Sequence, residues 1–231
     1  MEEMLSTDEL SEALAQVPGF SRLAPEDRAE LARLAKRITC RKGDRICWQG
    51  DIWPNVLYLA SGRMKWVVLS PDGKRQVVFT LEGGDVIWGH SLFDDLPMPA
   101  TLEVQEPCEA YLWPRDLIVP VFSRSVEAVW DVTRILVAAM RRVREVVYGF
   151  AFQQVSQRLA RLLLKHYRPA EGKSAPRDLT LDEMADMVGT TRELVCRVLY
   201  RFADEDMIRI TRTRFVFTNW EALEELASGD R

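Results

Sequence analysis

The chain has 231 residues, 47% of them hydrophobic, and a formal net charge of −4 at pH 7, so it is long enough for two domains that each bury a core. The negative charge excludes a protein that binds nucleic acid through its overall charge, and any DNA contact must come from a local cluster. No apolar run reaches the roughly 18 residues that a membrane span needs, and no signal peptide opens the chain, so we expect a cytoplasmic protein without a membrane partner.

Signs of enzymatic chemistry are absent from the sequence. It contains no nucleophile–base pair, no phosphate-binding loop and no spacing typical of metal ligands, so we expect neither an enzyme nor a metal site. The four cysteines stand apart at positions 40, 47, 108 and 196, which argues against a zinc site and against a disulfide framework. Cysteines within strands are usually inert small hydrophobes, although a redox role for Cys40, Cys47 or Cys108 stays open.

The first half of the chain changes its pattern near residue 38. Residues 1 to about 37 are predicted to be helical, with Pro25 in a first helical turn, and to pack on the domain that follows. From about Ile38 to Asp116, short β-rich runs alternate with turns such as Ser61-Gly62 and Pro71-Asp72-Gly73-Lys74. The clearest predicted strands are Val56–Leu59, Met64–Leu69, Gln76–Leu81 and Ala110–Trp113. This pattern predicts an antiparallel barrel or sandwich.

A long helix is predicted from about Val126 to Phe150. Apolar residues recur along it at the a and d positions of three heptads, and arginines between them leave one narrow apolar stripe. The predicted seam consists of Val129, Val132, Leu136, Ala139, Val143, Val146 and Phe150. One partner helix suits such a stripe, so we expect a homodimer formed along this helix. Packing of the helix on its own sheet is the alternative.

Residues Leu179–Phe202 predict two short helices around a tight turn. Gly189 stands where the end of a helix needs a residue that tolerates positive φ. Thr190 and Glu193 form a Thr-x-x-Glu capping box, which predicts that the second helix starts at this point.

The flanks of this helix pair are also patterned. Phe152–Tyr167 is predicted to be a helix, and residues 168–177 to be a loop rich in Pro, Gly and Ser. Two short strands, Ile208–Ile210 and Phe215–Phe217, surround a basic turn, and a terminal helix is predicted from Trp220 onward. A basic hairpin beside a helix pair predicts a winged helix whose arginines lie near phosphates.

The second helix of the pair has one apolar face and one face that carries arginines, as insertion into a major groove requires. Arginine can bind guanine O6 and N7 with two hydrogen bonds, and glutamate can accept one from cytosine N4. The predicted base contacts are Arg192, Glu193 and Arg197, and the predicted phosphate contacts are Thr190, Thr191, Arg201, Arg212 and Arg214. Cys196 lies on the same face, where its oxidation would block binding. An amphipathic helix pair without a DNA target is the alternative.

These motifs resemble those of the CRP/FNR family of bacterial transcription regulators. The matching residues of the helix pair are Leu181, Ala185, Val188-Gly189-Thr190-Thr191-Arg192-Glu193, Val195, Arg197 and Leu199. The pattern Lys-Gly-Asp-x-Ile-x-x-x-Gly-Asp from residue 42, followed by Ser-Gly and Gly-Gly-Asp, resembles the cyclic-nucleotide-binding β-roll of that family. In the family, the Arg-Glu-x-x-x-Arg positions contact bases.

The resemblance implies an α+β protein with three parts. We expect an N-terminal antiparallel β-roll (cupin-like) sensor domain over residues 1–123, a coiled-coil dimerisation helix over 124–150 and a C-terminal winged helix-turn-helix over 151–231. The implied function is that of a homodimeric, sequence-specific regulator of transcription. Its expected partners are double-stranded DNA and a second copy of the chain, and RNA polymerase is a further candidate. A ligand-binding or protein-interaction module without a DNA target is the alternative of another class.

The predicted sensor domain lacks the residues that bind a cyclic nucleotide. A buried phosphate needs an arginine, which cAMP-binding relatives supply about ten residues after a Gly-Glu-Leu motif. This chain has Gly89-His90-Ser91 and then Met98-Pro99-Ala100-Thr101, and neither Met nor Pro can neutralise a phosphate. The sequence therefore argues against cAMP and cGMP. No cysteine cluster precedes Cys40, which argues against an iron–sulfur cluster.

Haem stays open as an alternative effector. Gly84-Asp85-x-x-x-x-His90-Ser91 resembles the stretch of carbon-monoxide sensors in which the histidine ligates haem iron, although Trp88 replaces their cysteine ligand. The sequence is also compatible with an unidentified small molecule or with no effector, so the cofactor is unknown. The predicted effector pocket consists of Trp88, Gly89, His90, Ser91, Met98 and Thr101.

Overall fold

A computed structural model describes residues 5–167 and 174–229. Its helices are α1 (Thr7–Ala15), α2 (Pro25–Leu34), α3 (Ser91–Asp94), α4 (Arg115–Phe122), α5 (Val126–Phe152), α6 (Val155–His166), α7 (Leu181–Val188), α8 (Arg192–Asp204) and α9 (Trp220–Ser228), with a 3-10 turn at Phe20–Arg22. Its strands are β1 (Lys36–Cys40), β2 (Arg45–Cys47), β3 (Asn55–Leu69), β4 (Arg75–Glu82), β5 (Val86–Trp88), β6 (Thr101–Pro114), β7 (Ser174–Pro176), β8 (Ile208–Ile210) and β9 (Arg214–Phe217). None of these helices has both the length and the hydropathy needed to span a membrane.

The chain divides into two units. One comprises the residues up to Pro71 together with Val78–Arg142, and the other comprises Asp72–Val77 together with the residues from Val143 onward. The division falls within α5, whereas the sequence set this helix apart as a segment of its own, and the three-part division stays a prediction. In the second unit, Nε of Arg75 lies 3.0 Å from Oδ2 of Asp186.

The first unit contains the predicted antiparallel β-roll. Six strands form one sheet in the order β1–β6–β3–β4, with β2 paired to β6 and β5 paired to β3. The expected turn at Ser61-Gly62 is wrong, because β3 runs through it as a single strand with an irregular register between Leu59 and Met64. Gly62 has φ +86°, and a Cβ there would lie 2.3 Å from the carbonyl oxygen of Pro107. Glycine therefore lets β3 bend while β6 passes close to it.

The sheet separates two hydrophobic clusters. Val56 and Tyr58 of β3 belong to one of them, and Leu57 and Leu59 belong to the other, as expected when successive side chains of a strand point to opposite faces. The first cluster, which we call the outer cluster, packs the sheet against α1, α2, α4 and the start of α5. The second, the inner cluster, fills the roll. The predicted N-terminal helix is two helices and a 3-10 turn, interrupted at Pro18-Gly19.

Helix α5 places the residues of the predicted seam in unequal environments, and the seam stays a prediction. Val132 is 6% exposed and belongs to the outer cluster, and Leu136 packs against the same cluster. That side of the helix is occupied by the chain's own core. Val129, Val143 and Phe150 of the predicted seam are 41–47% exposed. A second exposed series lies one residue further along the helix and is preceded by Val126: Trp130, Thr133, Val137, Met140, Arg144, Val147 and Ala151. We call this series the exposed seam, and it lies about 100° around the helix from the predicted one.

The second unit is a winged helical domain. Helices α6 to α9 enclose one hydrophobic core, and β7, β9 and β8 form a three-stranded antiparallel sheet in that order. The hairpin predicted between residues 208 and 217 is confirmed as β8 and β9. Part of the loop predicted over residues 168–177 lies outside the described residues. Its end forms β7, which the sequence analysis missed.

Candidate nucleic-acid interface

Helix α7 is fixed at both ends by short-range hydrogen bonds. At its start, the backbone N–H of Glu183 donates to Oγ1 of Thr180 at 3.1 Å, and the backbone N–H of Thr180 donates to Oε2 of Glu183 at 2.8 Å. This is a complete capping box. At its end, Gly189 has φ +70°, as predicted, and its N–H donates to the carbonyl of Ala185 at 2.8 Å. The helix therefore presents a defined turn to the next element.

Helix α8 begins one residue later than the capping-box prediction. The N–H of Thr190 still donates to the carbonyl of Ala185, at 3.1 Å, so Thr190 belongs to the end of α7. The cap of α8 is Thr191, whose Oγ1 accepts from the N–H of Leu194 at 3.3 Å. The predicted capping box of Thr190 and Glu193 is therefore wrong. Because Thr191 is the cap, Arg192 is the first residue of α8.

The two faces of α8 separate as the sequence predicts. The buried face consists of Val195, Val198, Leu199 and Phe202. Arg192, Glu193 and Arg197 are all on the opposite, solvated side. Nη1 of Arg192 lies 3.2 Å from Oδ2 of Asp182, and both side chains are largely solvated. Among the residues that the structure describes, the guanidinium of Arg197 has no hydrogen-bond or ion-pair partner.

Glu193 is held as an acceptor. Its pKa is lowered, first by a hydrogen bond from its own backbone N–H and then by the hydroxyl of Thr191. The carboxylate is therefore ionised at neutral pH, which is the form that accepts a hydrogen bond from a base amino group. Glu193 and Arg197 lie four residues apart and so occupy one side of the helix.

Tyr200 lies on the exposed side of α8 and was not named in the sequence analysis. It is 62% exposed, and it follows Glu193 and Arg197 at i+7 and i+3, which places it on the same side of α8. The helical spacing could have shown this position. Cys196 is half-buried beside this face, and Nε of Arg201 lies 3.9 Å from Oε1 of Glu205.

The wing arginines have unequal environments. Arg212 is exposed in the turn between β8 and β9. Arg214 is tied to β7, because its Nε donates to Oγ of Ser174 at 2.9 Å and its Nη2 donates to the carbonyl of Ser174 at 2.8 Å. Arg177, which the sequence analysis did not single out, donates from Nη1 to the carbonyl of Thr211 at 3.0 Å. Arg177 and Arg214 therefore brace the wing, and Arg212 is the arginine that projects from it.

Two apolar residues of the predicted effector pocket belong to different hydrophobic clusters. Trp88 belongs to the outer cluster, where its ring centroid lies 5.1 Å from that of Phe122. Met98 is 1% exposed and belongs to the inner cluster. The two side chains therefore lie on opposite sides of the sheet, and a single pocket lined by both is wrong. The indole N–H of Trp88 has no acceptor among the described residues.

The polar members of that set are engaged in local structure. Oγ of Ser91 accepts from the N–H of Trp53 at 3.1 Å, and Oγ1 of Thr101 accepts from the N–H of Gln49 at 3.0 Å. His90 is exposed at the start of α3, with its ring edge-on to a tryptophan of the inner cluster. Gly89 is also constrained, because a Cβ there would lie 2.5 Å from a backbone oxygen. The described residues contain no group of three potential metal ligands.

Two cysteines meet across the sheet. Cys40 of β1 and Cys108 of β6 are direct partners in the antiparallel register, a proximity that the sequence analysis did not foresee. Burial raises the pKa of Cys108 to about 12 and that of Cys47 to about 11. Both thiols are therefore protonated at neutral pH, which makes them poor nucleophiles. A redox role stays a hypothesis.

Comparison with known proteins identifies both units. The cyclic nucleotide-binding domain matches residues 37–125, and the Crp-like helix-turn-helix domain matches residues 157–226. A CRP-like cAMP-activated global transcriptional regulator of Mycobacterium tuberculosis is 24% identical over 223 residues, which cover 94% of this chain and 100% of that protein. The cyclic AMP receptor protein of Thermus thermophilus is 26% identical over 212 residues, which cover 92% of this chain and 97% of the relative.

Solved structures show the same architecture. A protein from Eubacterium rectale assigned to the CRP/FNR family aligns with a TM-score of 0.76 and 17% identity, covering 91% of this chain and 98% of its own. The c-di-GMP-responsive global regulator CLP of Xanthomonas campestris aligns with a TM-score of 0.71 and 18% identity, covering 84% and 99%. The α+β fold with a β-roll, a long helix and a C-terminal winged helix-turn-helix is therefore confirmed. With both domains in place, the chain belongs to the CRP/FNR family and is a transcription regulator with a helix-turn-helix DNA-binding domain.

Proposed function

We propose that a homodimer of this chain reads a near-palindromic DNA site through α8. The observation that carries the proposal is the exposed side of α8, where Arg197 has no partner among the described residues and Glu193 is also exposed. Arg192, Glu193 and Arg197 contact base edges in the major groove. Arg212 and Arg201 contact phosphates, as do the Thr190 and Thr191 hydroxyls. Arg214 acts on phosphates only indirectly, because it braces the wing.

Dimerisation follows from the exposed seam of α5. Met140 is 72% exposed and Trp130 is 59% exposed, and several exposed large apolar side chains along one side of a helix are typical of a surface that a partner covers. A second copy of the chain is the expected occupant, because heptad spacing suits an identical helix. Two α8 helices related by a two-fold axis then read half-sites that lie about 34 Å apart, one turn of the DNA helix.

The dimer proposal is tested on the seam with a matched control. Met140→Glu places a charge in the seam and removes the burial of a Met, worth about 1.5–3 kcal/mol per side chain. Ala138→Glu adds the same charge at an exposed position about 160° from Met140 around the helix. We expect sedimentation velocity to show a monomer for Met140→Glu and a dimer for the wild type and Ala138→Glu. A dimeric Met140→Glu protein would contradict the proposed seam.

DNA reading is tested with the full-length protein and a random duplex library. Repeated rounds of selection should converge on a site with two-fold symmetry, and fluorescence anisotropy should then show binding that depends on that sequence. A library that does not converge, with the protein dimeric and folded, would favour a protein-interaction module instead. No residue of the described part is proposed to be catalytic, and the protein is expected to act in the cytoplasm, with RNA polymerase as a candidate partner.

The effector is proposed to be something other than cAMP or cGMP. The named relatives respond to different nucleotides, so likeness does not select one. In this chain, Met98 and Pro99 stand where cAMP-binding relatives carry the phosphate arginine, and Met98 is packed into the apolar inner cluster. Isothermal titration with cAMP, cGMP and c-di-GMP tests this directly, and saturable binding of cAMP or cGMP would overturn it. An absorbance spectrum of the freshly purified protein tests haem, whose candidate ligand is His90.

A further inference from the structure

Arg158 of α6 joins two other elements of the second unit. Its Nε donates to the carbonyl of Val188 at 2.9 Å, and its Nη1 donates to the carbonyl of Gln153 at 2.7 Å. Longer contacts join Nη1 to the carbonyl of Gly149 at 3.4 Å and Nη2 to that of Gly189 at 3.5 Å. One guanidinium therefore links the end of α5 to the end of α7.

The surroundings of Arg158 indicate that its contribution is geometric. No carboxylate pairs with it among the described residues, and its Cζ lies 4.8 Å from the centre of the Phe150 ring. The carbonyls at the end of a helix carry partial negative charge and lack partners within the helix. A planar guanidinium can satisfy several of them at fixed angles, which a flexible ammonium cannot do.

The same ring contacts the turn before α8. A Cβ on Gly189 would lie 2.3 Å from Cε1 of Phe150, so the ring lies directly against the glycine backbone. Gly189 leads through Thr190 into Thr191, the cap of α8. The direction of α8 relative to the last turns of α5 is therefore set by the Phe150 ring and by the bonds of Arg158.

We propose that Arg158 is a positioning residue for DNA reading, which sets the half-site spacing that the dimer accepts. The proposal rests on the proposed function. The exposed seam extends through Val147 to the end of α5, where Arg158 donates its hydrogen bonds. We call this contact of α5, α6 and α7 the joint, and a rotation at the joint displaces both α8 helices of the dimer. One base pair more or less moves a half-site by about 3.4 Å and turns it by about 36°. A rigid joint is what allows the protein to reject such a change.

The experiment measures a spacing profile. The operator selected by the wild type is synthesised with its half-sites one and two base pairs closer together and farther apart, and affinities are measured for wild type, Arg158→Gln, Arg158→Lys and Arg161→Gln. Arg161 is the matched control, because it lies on the same helix and donates to a carbonyl, that of Ala227 in α9, at 3.0 Å. We expect Arg158→Gln to lose about tenfold at the best spacing, the equivalent of one hydrogen bond to a charged group. The other spacings should lose less, which flattens the profile.

Other spacing profiles would overturn the proposal. An unchanged profile in Arg158→Gln, or an equal loss at every spacing, overturns the positioning role. A similar flattening in Arg161→Gln also overturns it, because the effect would then belong to the whole domain. Thermal unfolding shows whether Arg158→Gln is folded. If it is not, the spacing profile is measured on Arg158→Lys and Phe150→Leu instead. A wild type that selects no operator refutes the proposed function itself, and that result is visible before any variant is measured.

Discussion

Replacing Arg197 with alanine is the most direct test of base reading. The side chain is exposed, and no described residue pairs with it. Its loss should leave the free energy of unfolding within about 0.5 kcal/mol of the wild type, as for other surface positions without partners. Any change in DNA binding can then be attributed to the missing contact rather than to the fold.

The magnitude follows from the geometry of the proposed contact and from the symmetry of the dimer. A bidentate arginine–guanine contact contributes about 1–3 kcal/mol of discrimination. Each dimer carries two copies, so Arg197→Ala should weaken binding to the selected operator by about 2–6 kcal/mol, which corresponds to a factor between about 30 and about 20,000. Binding to random DNA should change little.

Fluorescence anisotropy at several salt concentrations measures the affinity for the operator and the affinity for a random duplex. Arg212→Ala is the matched control, because Arg212 is also exposed but lies on the wing. Loss of a phosphate contact should weaken binding to all sequences. It should also reduce the slope of log affinity against log salt concentration by about one for each subunit of the dimer. An Arg197→Ala protein that loses the same factor on operator and random DNA would refute the base-reading role.

The remaining predictions concern stability and thiol reactivity. Thr180→Ala removes the cap of α7 and should lower the free energy of unfolding by about 0.5–2 kcal/mol in urea titrations; an unchanged midpoint would mean that the capping box does not stabilise the domain. Gly62→Ala should unfold the β-roll or lower its melting temperature far more than Gly73→Ala, because both have positive φ but only Gly62 lies against the backbone of β6; equal effects would refute the close approach. Because burial raises their pKa to about 12 and about 11, Cys108 and Cys47 should react with iodoacetamide at pH 7.5 at least about a hundredfold more slowly than in urea. Mass spectrometry of peptides measures this, and fast labelling of either thiol in the folded protein would contradict its burial.

Local patterns predicted the helix-turn-helix well. Met184 and Val188 of α7 repeat at helical spacing, and Gly189 closes the helix in the left-handed conformation that was expected of it. The start of α8 was misplaced by one residue because Thr190 and Thr191 are both good caps. The N–H of Thr190 donates to the carbonyl of Ala185, so Thr190 belongs to the end of α7 and Thr191 is the cap of α8.

The side of α5 that faces a partner could not be chosen from the sequence. The helix is apolar on two adjacent sides, one through Val132 and Leu136 and the other through Val137 and Met140. Periodicity finds both but cannot say which of them packs against the chain's own core. That choice is made by the outer cluster, whose residues come from helices and strands far away in sequence.

The effector pocket shows a second limit of reasoning along the sequence. Trp88 and Met98 were grouped through the resemblance to effector-binding relatives, yet they belong to different hydrophobic clusters on opposite sides of the sheet. Trp88 ends β5, whereas Met98 lies in the loop between α3 and β6, so alignment with a relative's motif does not fix which side of the sheet each side chain occupies. Predicting such a pocket requires the register of the strands, which turn residues alone do not determine.

The arginines of the second unit explain how an acidic protein can still read DNA. Counted from the sequence, they form one basic cluster, but the structure divides them by their partners. Arg158, Arg177 and Arg214 donate to backbone carbonyls and hold the helices and the wing together. Arg197 and Arg212 are exposed, with no such bonds among the described residues. Because the chain as a whole is acidic, we expect discrimination between sequences to depend on base contacts held at fixed positions. A rigid joint at Arg158 and an unpaired guanidinium of Arg197 among the described residues would therefore both favour discrimination between DNA sequences.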